Sequence, residues 1–99
     1  MLVHQLLNNK TKWARFCTAI NAKGKHVKSR DESAVAWSLV GAIHKCYQTK
    51  QEIKEVKAKL QHELTLQFGL AATSIDSFNN SDCTEFNRDI KPILEKLKI

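Results

Sequence analysis

A chain of 99 residues can bury about 60 to 70% of the surface its unfolded form exposes, which suits one domain over residues 1–99 and leaves no room for a second. With 42% hydrophobic and 26% charged residues, one proline and three glycines, the composition excludes a disordered or low-complexity chain. The formal charge of +6 is unevenly spread: residues 1–30 carry seven Lys or Arg and no Asp or Glu, whereas residues 31–99 carry nine against ten.

No apolar run reaches the roughly 18 residues of a membrane span, and Met1–Asn8 is too short and polar for a signal peptide, so a cytoplasmic protein with no membrane partner is expected. Cys17, Cys46 and Cys83 are odd in number, far apart and free of CxxC spacing. They read as buried reduced thiols, not as a disulfide framework or a zinc site.

In chain order, Leu2, Val3, Leu6 and Leu7 have helical spacing before a polar stop at residues 8–12, predicting a short first helix. From Trp13 the alternation suits a strand, with Ala14, Phe16, Thr18 and Ile20 on one side and Trp13, Arg15, Cys17 and Ala19 on the other. Asn21-Ala22-Lys23-Gly24 has the chemistry of a type I turn closed by a left-handed glycine at a G1 bulge. A hairpin over residues 13–29 follows, and a two-stranded ribbon is marginal unless it packs on helices.

Ser33–Tyr47 is the most apolar stretch and is predicted as a central helix capped by Asp31 or Ser33. Its narrow face of Ala34, Ser38 and Gly41 is small enough to admit another backbone, with the hairpin as the expected neighbour. Trp37 and His44, seven apart, would then share a line, and Trp37 reads as core in preference to a ligand-stacking ring.

Thr49-Lys50-Gln51-Glu52 is a capping box opening a helix striped by Ile53, Val56, Leu60, Leu64 and Phe68 and stopped at Gly69. Glu55 and Lys59 are placed for an i, i+4 pair. Ser74–Asn80 reads as a helical turn or loop. Asp82–Glu85 resembles a second capping box before a helix carrying Phe86, Ile90, Ile93, Leu94 and Leu97, which Pro92 should kink or restart. The fold class expected is α+β, mainly helical, with a β-hairpin packed on a central helix and two further long helices.

Nucleophile, metal and phosphate-loop spacings are absent from the sequence, and no cofactor or metal is expected. The candidate partner-binding residues are Trp13, Arg15, Lys23, Lys25, Lys28 and Arg30 on the hairpin. Cations beside an aromatic ring can contact phosphates and stack on bases, or dock on an acidic protein surface. The competing reading places Trp13 in the core and leaves the lysines merely solvated.

The order of parts resembles a family of small bacterial and phage proteins known only as a domain of unknown function. The resemblance runs over residues 4–97 and is carried by Trp13, Ala19–Val27, Ala34–Ile43 and Phe78-Asn79-Asn80 before a final helix containing Ile90. Where that family often has cysteine, aspartate and Trp-Asn-Asp, this chain has Ser38, Asn21 and Phe78-Asn79-Asn80, which argues against an enzyme. The family supplies no activity.

The leading expectation is a small non-catalytic interaction protein, phage-derived or defence-related, whose basic hairpin meets an acidic protein surface or nucleoprotein. Direct nucleic-acid binding is the alternative. An enzyme using Cys17 or Cys46 with a histidine such as His44 is the third.

Overall fold

The computed structural model describes residues 1–69 and 74–99. It is a mainly helical α+β fold in which five α-helices surround a three-stranded antiparallel sheet among the described residues. Helix α1 spans Val3–Leu6, followed by a 3₁₀ turn at Lys10–Lys12. Strands β1 (Ala19–Asn21), β2 (His26–Val27) and β3 (Ala34–Trp37) pair in the order β2-β1-β3. Helices α2 (Leu39–Cys46), α3 (Lys50–Phe68), α4 (Ile75–Asn80) and α5 (Lys91–Leu97) complete the chain.

The stretch expected as one central helix divides at Ser38. Ala34–Trp37 is a strand, pairing Ala19 with Trp37 and Ile20 with Ala36, and the helix begins only at Leu39. The physical reason is non-local: the Trp37 carbonyl accepts from the Ala14 amide at 2.9 Å and the Ser38 amide donates to the Thr18 carbonyl at 3.2 Å. The Ser38 hydroxyl then caps α2 by accepting from the Gly41 amide at 3.0 Å. Asp31 and Ser33 cap no helix; the Asp31 carboxylate accepts from the Ser33 amide and hydroxyl, forming a turn that launches β3. A third strand also gives the ribbon support beyond what two strands supply.

The first strand is shorter than the alternation implied. It starts at Ala19, and the alternation breaks at Phe16, whose φ of 62° lies in the left-handed region and which is 68% exposed while Ala14 is buried. Asp82–Glu85 forms no capping box: Glu85 flanks a π-helical turn, Phe86–Ile90, and its amide donates to the Asp89 carboxylate at 2.8 Å. Pro92 restarts the helix as expected. Its ring would collide with the Arg88 carbonyl of a continuous α-helix, and the chain widens into a π turn immediately before it, then resumes as α5 with Pro92 in the first turn.

The core gathers Leu39, Ala42 and Ile43 from α2 with Leu6 and Leu7 from the first segment, Leu60 and Leu64 from α3 and Phe78 from α4, and Ile90, Ile93 and Leu94 from the last segment join it through α1 and α3. The Thr49–Glu52 capping box forms as predicted, and Ile53 and Val56 are half-buried on the stripe that leads to Leu60 and Leu64. Glu55 accepts from the Gln51 side chain at 2.7 Å. The buried Glu63 pairs with Lys96 at 2.5 Å, tying α3 to α5.

The small face at Gly41 does admit a backbone, and that backbone is the Thr18 strand entry. A β-carbon at Gly41 would fall inside the Thr18 carbonyl. This oxygen cannot retreat without giving up the Ser38 amide. Gly41→Ala should therefore destabilise the fold by about 1 to 3 kcal/mol or more through overpacking, read as a fall in the urea midpoint.

Candidate functional site

The hairpin turn is built by one side chain. The Asn21 carboxamide oxygen accepts from the Lys23 amide at 2.9 Å and the Lys25 amide at 3.0 Å. The Asn21 carbonyl accepts from Gly24 at 2.9 Å, and the φ of +77° at Gly24 is the left-handed residue the turn needs. Lys23, Lys25, His26 and Lys28 stand exposed around this turn. None of the ion pairs among the described residues involves residues 1–30.

Trp13 and Arg15 do not join that cluster. The Trp13 indole N–H donates to the Asn79 carboxamide oxygen at 2.7 Å, and the ring is half-buried, with Phe86 6.1 Å away between ring centres. The Arg15 guanidinium lies 4.7 Å from the Trp13 ring centre and donates to the Thr84 carbonyl, while its Nε is buried with no acceptor among the described residues. Both belong to the packing between the chain's first third and its last. Arg30 also has an internal task. Its Nε donates to the His44 carbonyl at 2.9 Å and its Nη2 to the Tyr47 carbonyl at 2.8 Å, closing the C-terminal end of α2.

Sequence reasoning missed Asn79, which is fully buried. Its oxygen accepts from the Trp13 indole and from the Leu39 amide at 3.0 Å; its nitrogen donates to the Ala14 carbonyl at 3.0 Å and to the Asn80 side chain at 2.9 Å. All four hydrogen bonds a carboxamide can make here are made. Asn80 in turn accepts from the Phe16 amide at 2.8 Å. The cation–π contact of Arg15 contributes about 0.5 to 2 kcal/mol. Leaving the buried Leu39 amide and Ala14 carbonyl unsatisfied would cost about 1 to 3 kcal/mol each, and the half-buried Trp13 indole adds to this, so Asn79 is what fixes Trp13 inward.

Trp37 also turns inward, 7% exposed, and its indole donates to the Ser29 carbonyl at 2.8 Å; lying on β3, it shares no helical line with His44. Cys17 and Cys46 are only half-buried and Cys83 is exposed, so the expectation of buried thiols fails: none of the three is fully enclosed. Burial pushes the Cys17 and Cys46 thiols up, opposite to the shift that activates a nucleophile. Among the described residues no group of three His, Cys, Asp or Glu is placed to hold a metal, and no helix is long and apolar enough to cross a membrane.

No protein-family model, curated protein or solved structure matches this chain. The functional reading therefore rests on its own residues. For the arrangement that sorts them, Asn79→Ala should lower stability by about 3 kcal/mol or more, because it orphans the Trp13 indole, the Leu39 amide and the Ala14 carbonyl together. Chemical denaturation read by tryptophan fluorescence measures this, and a loss below about 1 kcal/mol would deny the residue that role.

Proposed function

We propose that this chain is a small non-catalytic binding module whose basic hairpin docks on an acidic protein surface. The observation that carries the reading is the exposure of Lys23, Lys25 and Lys28 around a turn rigidified by Asn21, with no ion pair of their own among the described residues. Ordering the turn beforehand lowers the entropy lost on docking. Complementary charge steers encounter and sets specificity more than it sets affinity.

A protein surface is favoured over nucleic acid by where the other candidates lie. Stacking on an unpaired base needs a free aromatic face, and Trp13 has Arg15 over its ring and its indole nitrogen bonded to Asn79. Fork-like recognition of phosphate needs a free guanidinium, and Arg15 and Arg30 already donate to backbone carbonyls. What the hairpin offers is a set of point charges on flexible stems. An enzyme is disfavoured by the raised thiols of Cys17 and Cys46.

Affinity capture from native lysate, with and without nuclease, separates the partner classes. A stoichiometric protein should survive nuclease, elute as salt is raised to about 0.5 M, and be lost on Lys23→Glu, Lys25→Glu, Lys28→Glu together. A partner released by nuclease would move the assignment to nucleic acid. A protein that binds the triple variant unchanged would contradict the hairpin as the contact.

A further inference from the structure

A second basic feature lies behind the hairpin, where the returning strand passes the end of α2 and the start of α3. An open cleft of about 610 Å³ is lined there by Lys28, Arg30, His44 and Lys50, over an apolar floor that includes Val40 and Ile53. No carboxylate lines it. Glu52, in the first turn of α3, is engaged with the Thr49 amide and hydroxyl in the capping box.

The cleft's cations have no acid among the lining residues to pair with. Lys50 opens α3, where the helix dipole disfavours positive charge. His44 carries a pKa held below its ordinary value, by burial first and then by Lys57 and Arg30. Arg30 cancels the negative end of α2 by bonding the His44 and Tyr47 carbonyls, which leaves the other cations without a counter-charge from that helix. A cleft that is cationic at its rim, apolar at its floor and free of carboxylates among its lining residues suits an anionic ligand with an apolar part.

We propose that this cleft binds a phosphate monoester carried on an apolar body of nucleotide size, with Lys28, His44 and Lys50 facing the phosphate and Val40 and Ile53 facing the body. The charge selects a dianion, and the volume falls within the roughly 300 to 1,000 Å³ range of small-ligand pockets. The site goes beyond the protein-docking role of the hairpin tip, since Lys23 and Lys25 are not among its lining residues.

The test is titration of the full-length, isotope-labelled chain with AMP, inorganic phosphate and adenosine at constant ionic strength, followed by NMR at the His44 ring and the Gln48 and Lys50 amides. AMP should give saturable shifts centred on these residues, bind about tenfold or more tighter than phosphate, and move the His44 ring towards its protonated form, while adenosine gives none. Lys50→Glu should weaken AMP about tenfold or more, because it reverses a charge at the ligand. This variant puts an acid in the first turn of α3, which favours the helix, so a lost signal is not lost folding. Lys23→Glu with Lys25→Glu should change AMP affinity less than about twofold, which separates this site from hairpin docking. Absence of saturable shifts with AMP, adenosine binding as well as AMP, phosphate binding as tightly as AMP, or an unchanged Lys50→Glu would each overturn the assignment.

Discussion

The carboxamide of Asn79 is the constraint on which the rest of the molecule depends. It joins three segments distant in sequence: the Trp13–Ala14 entry to the sheet, the Leu39 start of α2, and α4, which carries Asn79 itself. Its surroundings exclude water, so each of its hydrogen bonds is made against a large penalty for leaving the partner bare. Such a group contributes less to net stability than to uniqueness. It permits one arrangement of these segments, because any shifted register would strand an indole N–H, an amide or a carbonyl in the core. Asn80 extends the clasp to the Phe16 amide, in the residue whose left-handed backbone ends the alternation of the first strand.

The internal hydrogen bonds also decide which basic side chains stand free at the surface. The first 30 residues hold seven Lys or Arg, yet Arg15 is drawn under Thr84 with Trp13, and Arg30 is tied to the end of α2. The residue types best suited to hot spots are spent on internal order, and lysines are left around a turn braced by Asn21. The basic surface thus divides into an outward tip and an inward cleft that share Lys28.

Much of this was legible from local chemistry. The Thr49–Glu52 box, the Asn21–Gly24 turn and the restart at Pro92 involve residues within a few positions of each other, and their geometry follows from the residue types alone. Gly41 was legible because a small residue on an apolar helix asks for a close neighbour, and the Thr18 carbonyl is that neighbour. The hidden features depend on long-range partners. Ala34–Trp37 fits a helical period as well as a strand, and only pairing with β1 decides between them. Trp13 and Arg15 read as a binding pair because their partners, Asn79 and Thr84, lie 66 and 69 residues away. The lysines' exposure was readable, but their separation from Trp13 and Arg15 was not.

The central claim is that Asn79 holds Trp13 inward and thereby separates Trp13 from the exposed lysines of the hairpin turn. Hydrogen exchange of the Trp13 indole proton, compared with the Leu39 amide, tests it most directly, since both donate to the same oxygen. The account predicts that the two are strongly protected and exchange together, through global unfolding alone. An indole proton that exchanges at the rate of a solvent-exposed tryptophan while Leu39 stays protected would contradict it and return Trp13 to the surface.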